Sequence, residues 1–519
     1  MSEQNYKDVA LRQYVVHHKQ AERRMDGSAG SFYCALLETV SKEGYYFTGT
    51  EFDDELHLVH TITNDFERIP ELIGYKPIRS DSAKVYPAIK QLLENNEKVI
   101  FCGTSSQCRD LKNLVEDHDN LYLVNIVDNL FASENVLKTY IEDIQHRYQS
   151  KVKDIRFFDK EFSYSKAKRI KLSNGRVIFS RKQDLFDECY ENELITTALD
   201  EQNLNLRVSN IGDLTIGAYD LGKGDDDLGY SYISVNSEKG AFLFDKVRKR
   251  LNIVLTDEQI DDANIVTDLT TLNKLKADIN NKGLKTKVKR ILKKLGFANL
   301  ITMVLCVLDA SQFKIKPIFQ FIRYNFFSKN IITDKKHNGY VYFTPHCSFQ
   351  LEKDAIIEVH GPLVIGAKRV KCSKQDTRVW MQSKSKIIVY ENASFGYGSN
   401  IEIYKDALLE IGSLFSNSEF VLICGKHISI GSPVNIARGC TIRDTNGHLV
   451  IVPGFKKTRD VEIGNHVWVC SNSTIMPGTI IGDGAIVGAC SFITKKIPPF
   501  TMVQGEADKV VGYPKYFKM

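Results

Sequence analysis

The residues best placed to do chemistry lie where a rhythm breaks. Aliphatic side chains recur every six residues near the C-terminal end of the chain, and positions 443–460 interrupt them. The interruption opens with Arg443-Asp-Thr-Asn-Gly-His448 and is too long for a turn. It reads as a loop thrown out of a regular scaffold, the usual place for reactive groups. An imidazole titrates near pH ~6.5, so a loop histidine is largely neutral at pH 7 and able to accept a proton. The plain alternative is a solvated side chain. Elsewhere reactive groups are sparse. The 11 cysteines contain no CxxC pair, which argues against a zinc ribbon and an iron–sulfur motif. Such a scatter fits reduced, mostly buried thiols in a reducing compartment.

The scaffold is legible from its period. Ile463, Val469, Ile475, Ile481, Val487 and Ile493 are six residues apart, as are Ile430, Ile436 and Ile442. Ile411, Asn417 and Ile423 extend the series upstream with a one-residue slip. Small residues often follow: Gly412, Gly431, Gly464, Gly482 and Gly488. This step predicts a parallel β-helix whose coil is a triangle of three short faces, with the aliphatic side chain inside and the small one at the corner.

Three regions follow. Residues 1–258 alternate strand-like runs (Lys98–Cys102, Leu121–Val127) with helical stretches (Ala88–Glu97), which predicts an α/β domain. Residues 259–334 form a helical connector, basic between Lys285 and Lys294 and aromatic from Phe319 to Phe327. Residues 335–519 are the β-helix. The connector reads first as helices capping the next domain; peripheral membrane contact through 285–327 is the other reading. A net charge of +5 gives no reason to expect a nucleic-acid partner. The polar first 14 residues lack the apolar core of a secretory leader, and no apolar run approaches the ~20 residues of a membrane span. The expectation is a cytoplasmic protein.

The stretches Ile463-Gly-Asn-His-Val-Trp-Val-Cys-Ser471, Ile475-Met-Pro-Gly-Thr-Ile-Ile-Gly-Asp-Gly-Ala-Ile-Val-Gly-Ala-Cys-Ser491 and Thr494-Lys-Lys-Ile-Pro-Pro499 resemble the hexapeptide-repeat sugar and capsule O-acetyltransferases. The Arg-Asp-x-x-Gly-His element at 443–448 belongs to the same resemblance. It implies a left-handed β-helix, a homotrimer, and acetyl-CoA in the groove between subunits. It also implies transfer to a sugar hydroxyl in surface-polysaccharide synthesis, with neither a metal nor a covalent intermediate. By that carry-over His448 is the general base and Asp444 orients the ring or the acceptor. Trp468 packs on the acetyl end or the acceptor. Ser471 and Ala489 offer backbone N–H groups, and Thr494, Lys495 and Lys509 meet the far end of the cofactor. Asn417 contacts the acceptor. His427 and His466 read as structural. The family often carries Asp where this chain has Asn446, and its closing turn differs from Gly505-Glu-Ala-Asp-Lys509.

Residues 10–250 resemble a degenerate coenzyme F420 hydrogenase/dehydrogenase β-subunit domain. The resemblance rests on Tyr14-Val-Val-His-His-Lys19, Gly27-Ser-Ala-Gly-Ser-Phe32, Phe101-Cys-Gly-Thr-Ser-Ser-Gln107, Phe157-Phe-Asp-Lys160 and Asp213-Leu-Thr-Ile-Gly217. It implies a flavin at Gly27–Gly30. The family's Pro-Cys is Ser105-Ser106 here and residues 190–210 hold no cysteine, so no cluster of the family kind is expected. Three alternatives to sugar O-acetylation stand: N-acetylation of an amino sugar, a flavin redox protein using the β-helix to trimerise, and a non-catalytic scaffold.

Overall fold

The computed structural model of the chain describes residues 12–127, 131–157, 159, 168–180, 184–190, 211–221, 228–261, 264–266, 298–448, 456–505 and 509–512, with 28, 75, 116–117, 369 and 371 excepted. The chain divides into two compact units. One comprises Met1–Ile144, Lys151–Gly175 and Ser180–Lys282; the other comprises Gln145–Ser150, Arg176–Phe179 and Gly283–Met519.

The first unit is α/β, as its sequence predicts. Its sheet runs Leu251–Thr256, Gln13–His18, Tyr230–Val235, Leu214–Tyr219, Leu121–Ile126, Val99–Thr104, Tyr46–Phe52, Leu58–Thr63. The four central strands from Leu214–Tyr219 to Tyr46–Phe52 pair in parallel and the outer pairs are antiparallel. Strand Val99–Thr104 is buried over five of its six residues, because a parallel strand covered on both faces needs a continuous apolar run. Gly30 has φ +66, and a Cβ there would lie 2.3 Å from the Ser231 amide nitrogen. Close packing on strand Tyr230–Val235 therefore accounts for that glycine without a ligand. Cys108, beside the Ser105-Ser106 departure, is fully buried with its Sγ directed at the Gly103 carbonyl at 3.8 Å. No disulfide joins any of the 11 cysteines.

The second unit is a left-handed parallel β-helix. Each coil places one strand on each of three faces. The last complete coils run His427–Ile430, Val434–Ile436, Thr441–Arg443; then Val461–Ile463, Val467–Val469, Thr474–Ile475; then Ile480–Ile481, Ile486–Val487, Phe492–Ile493. Strands stack in register: Ile428 over Val461, Ile436 over Val469, Ile442 over Ile475, Ile475 over Ile493. The nine aliphatics in six-residue phase from Ile430 to Ile493 are all buried in one continuous core. The corners are tight. A Cβ on Gly431 would sit 2.5 Å from the Gly464 carbonyl oxygen, so the backbone of one coil rests on the next only because the side chain is missing.

Upstream the six-residue phase fails. Leu422 and Cys424 point inward on strand Val421–Cys424, and Ile423 faces out. The ladder joins Ile387 to Leu409 and Leu409 to Ile428, so these coils take 22 and 19 residues, not 18. A corner that holds one extra residue flips the parity of the following strand.

Helices Ala298–Ser311 and Ile315–Phe327 pack on the core through Phe321 and Met303, which agrees with the capping reading. They leave Leu305, Ile315, Phe319 and Phe327, and Phe313 in the turn between them, more than 60% exposed. The basic stretch 285–294 lies outside the described residues. Among the described residues no helix is long and apolar enough to cross a membrane.

Ile475 is fully buried between coils, so Ile475→Ala should cost about 2–5 kcal/mol. Urea unfolding of the second unit's signal measures it; a loss below about 0.5 kcal/mol would contradict a packed core there.

Candidate active site

The excursion leaves the coil after strand Thr441–Arg443 and returns at Val461–Ile463 without disturbing the ladder. Its base is clamped. Thr445 and Thr458 form an antiparallel bridge, the Asn446 amide donates to the Lys457 carbonyl at 2.9 Å, and the Arg459 amide donates to the Asp444 carbonyl at 2.9 Å. The Arg443 Nε donates to the Thr445 carbonyl at 2.7 Å. Gly447, with φ +78, then turns the chain, a conformation that strongly favours glycine. His448 follows it, exposed, with no hydrogen bond or ion pair among the described residues. Residues 449–455 lie outside the described residues.

Asp444 does not go to His448. Its carboxylate is fully buried and accepts from three successive amides: Gly425 at 2.5 Å, Lys426 at 2.7 Å and His427 at 2.7 Å. Burial pushes its pKa above the usual carboxylate value, against the pull of those three donors. The side chain therefore fastens the start of the excursion to the coil beneath it. This corrects the expectation that Asp444 orients the imidazole or the acceptor.

The other expected residues fall on different edges of the prism. Ser471 and Ala489 occupy equivalent turns between the second and third faces, stacked one coil apart: the Cys490 amide donates to the Ser471 carbonyl at 2.9 Å. Their own N–H groups, and that of Arg438 one coil before, make no hydrogen bond among the described residues. The result is a column of unused donors at coil spacing. Trp468 stands on the second face next to that edge, 40% exposed, between Asn435 and Ile486 on the neighbouring coils. Asn417 occupies the same edge lower down, its Oδ1 accepting from the Ser418 amide at 2.8 Å. Thr494, half-buried, and Lys495, exposed, follow the third face, on the edge from which the excursion departs. Lys509 begins strand Lys509–Gly512, antiparallel to Met502–Gln504. Within one chain, the His448 edge and the Ser471–Ala489 edge are separated by the third face. At about 3.3 Å per residue over some five residues that is roughly 15 Å.

His427 has a partner network that the sequence did not disclose. Its Nε2 lies 3.0 Å from Glu410 Oε2, while Glu410 Oε1 accepts from the Tyr390 hydroxyl at 2.6 Å and from Arg176 at 3.2 Å. The Arg176 guanidinium lies over the Tyr390 ring, 4.5 Å from its centroid. The His427 hydrogen bond, with Tyr390 and Arg176, lowers the Glu410 pKa from 4.5 to about 2, and Glu410 in turn raises that of His427 above 6.5. These residues come from four strands or segments, so no local spacing signals them. His466, buried with φ +54, sits in a coil turn, in line with a structural role.

Residues 460–495 match the family model for bacterial transferase hexapeptide (six repeats). The chain is 32% identical over 120 residues to galactoside O-acetyltransferase of Escherichia coli (strain K12), which is 22% of this chain and 56% of that enzyme. It is 42% identical over 57 residues to chloramphenicol acetyltransferase of Morganella morganii, 11% of this chain and 27% of that enzyme. The chain thus spans about half, or less, of the length of the curated relatives it matches. The structure is also similar to a chain of the F420-reducing [NiFe] hydrogenase complex from Methanosarcina barkeri, with TM-score 0.34 and 16% identity, covering 55% of this chain and 95% of that one. The C-terminal part accordingly resembles the hexapeptide-repeat acetyltransferases.

The Glu410–His427 pair predicts a pH window. Glu410, lowered, contributes stability present above about pH 4.5 and lost as pH falls toward about 2. His427, raised, contributes stability present below about 6.5 and lost as pH rises through its folded value. The difference in melting temperature between wild type and Glu410→Gln should therefore peak between pH 4.5 and 6.5, corresponding there to about 1–3 kcal/mol. A difference that is flat from pH 3 to 9 would contradict it.

Proposed function

We propose that the second unit is an acetyl-CoA-dependent O-acetyltransferase that modifies a sugar hydroxyl in surface-polysaccharide biosynthesis, with His448 as general base. The observation that carries this reading is an exposed histidine, without hydrogen bond or ion pair among the described residues, on a clamped excursion from a coil whose next residues match transferase hexapeptide repeats.

The imidazole takes the proton of the acceptor hydroxyl while the oxygen attacks the thioester carbonyl. The tetrahedral oxyanion is held by backbone N–H groups, and its collapse expels the coenzyme A thiolate, which recovers the proton from the imidazolium. Ser471 and Ala489 supply N–H donors along the acyl and pantetheine arm, and Trp468 offers an apolar plane beside them. Thr494, Lys495 and Lys509 serve the far end, where a phosphate rewards a cation. Asp444 acts through the fold, by fastening the excursion, and Asn417 lies on the acceptor side.

A single chain puts His448 and the donor column on different edges, so the site is completed by a neighbouring copy, as in a homotrimer whose grooves each take residues from two subunits. The proposed enzyme works in the cytoplasm. There the exposed apolar residues of helices Ala298–Ser311 and Ile315–Phe327, with the basic stretch before them, make a peripheral contact with the inner membrane face. The glycine-rich segment of the first unit is assigned no flavin, because packing accounts for Gly30.

His448→Ala should lower acetyl-CoA turnover with oligosaccharide acceptors by about 10²–10⁴-fold while leaving folding and coenzyme A binding intact. Equal turnover would remove His448 as the base. Ala489→Pro deletes one N–H of that column, at the residue before Cys490, whose φ of +57 suits the third position of a type II turn. It should raise the KM for acetyl-CoA several-fold without changing the melting temperature; an unchanged KM would show that the donor column is not used. Replacing Phe319 and Phe327 by Ser should abolish co-flotation with anionic vesicles, and a wild type that does not float would end the membrane reading.

A further inference from the structure

Away from the excursion, three imidazoles converge on one carboxylate oxygen. Asp334 follows the strand Ile331–Thr333 in the first coil, and its Oδ1 accepts from the Lys336 and His337 amides at 3.0 and 3.4 Å. Its Oδ2 faces the Nδ1 atoms of His337 at 2.6 Å, His360 at 3.6 Å and His146 at 3.8 Å. His146 lies in the Gln145–Ser150 segment, which belongs to the same compact unit as the coils. The ligand atoms of His146, Asp334 and His360 all lie within 4.8 Å of one another.

The hydrogen bonding fixes what faces what. Glu358 Oε1 lies 2.9 Å from His360 Nε2, and Glu358 Oε2 takes the Lys386 ammonium at 2.7 Å. A carboxylate only accepts, so Nε2 carries the hydrogen, and a neutral His360 turns its Nδ1 lone pair toward Asp334. His360 is only 8% exposed, and this Nδ1 is buried with no hydrogen-bond partner. A lone pair and a carboxylate oxygen 3.6 Å apart repel unless a cation lies between them. The separations suit a metal better than a proton. At 3.6 and 3.8 Å they exceed a hydrogen bond, yet they approach the edge of a tetrahedron with ~2.05 Å ligand bonds, roughly 3.4 Å.

We propose that His146, Asp334 and His360 bind one divalent transition-metal ion of the zinc class. Two imidazoles and a carboxylate select zinc, cobalt or nickel over calcium or magnesium, which prefer all-oxygen shells. Glu358 is the outer carboxylate that orients His360, the arrangement usual around metal-bound histidine. His337 Nδ1, 2.6 Å from Asp334 Oδ2, holds that oxygen through a hydrogen bond. His146 is 57% exposed on its side chain, which leaves an entry path and a water as fourth ligand. Asp334 and His360 lie at least three coils from the excursion, roughly 14 Å at ~4.8 Å per coil, so the ion is structural. It ties Gln145–Ser150 to coil residues about 190 positions later, a long loop whose closure constrains the unfolded chain.

The test uses tag-free full-length protein stripped of metal and titrated with zinc chloride by calorimetry. Cobalt(II) serves as a second probe, read from its visible absorption. One ion per chain should bind, raising the melting temperature and giving an intense tetrahedral cobalt band. His146→Ala and His360→Ala should each weaken zinc at least ~10-fold, and Glu358→Gln by ~10–100-fold. His448→Ala, whose excursion leaves the coil elsewhere, should bind normally. His146 is mostly exposed, so its variant keeps the fold if His360→Ala does not. No binding near one equivalent, or equal affinity in the His146 and Glu358 variants, would overturn the site and leave an imidazolium–carboxylate cluster in its place.

Discussion

Everything in the second unit depends on the parallel ladder closing coil on coil. Successive strands on a face pair in parallel, coil on coil, so a residue's height and face are set once its partner is set. The ladder runs from Ile331–Thr333 to Met502–Gln504 with one buried core along its axis. An insertion that kept the ladder in register costs nothing to the core; one that shifted it by a residue would turn an aliphatic side chain outward. The 443–460 excursion is tolerated for that reason. Ile428 meets Val461 as though nothing lay between them.

The excursion still has to be aimed, and Asp444 does this. A carboxylate with three amide donors is well satisfied although buried, and it joins the turn Gly425–His427 to the first residue beyond Arg443. The clamp at Thr445–Thr458 then carries that order outward to Gly447. Among the described residues His448 makes no hydrogen bond or ion pair. Half-buried His427 is held by Glu410 and buried His360 by Glu358, whereas His448 sits on a clamped stalk where it could take a proton from elsewhere.

The sequence disclosed what is periodic and local. Ile430 through Ile493 announced the core, the corner glycines announced the turns, and the break at 443 announced the excursion. It misplaced Ile423 because coils of 22 and 19 residues carry no constant period. The resemblance gave Asp444 the ring or the acceptor to orient, whereas the amides that use its carboxylate lie almost twenty residues upstream. The Glu410 network and the Asp334 cluster were invisible for the same reason: Arg176 and His146 reach coils two hundred positions away, and only the fold makes those distances short.

In the proposed reaction one copy's His448 serves a cofactor lying on another copy's donor column. A crystal structure of the full-length assembly with acetyl-CoA and an acceptor analogue tests it directly. The thioester should lie between two copies, its arm on the Ser471 and Ala489 amides of one and its carbonyl carbon near His448 of the other, with the acceptor oxygen within about 3.2 Å of that imidazole. A cofactor bound within a single copy, or one whose thioester lies out of reach of every His448, would contradict it.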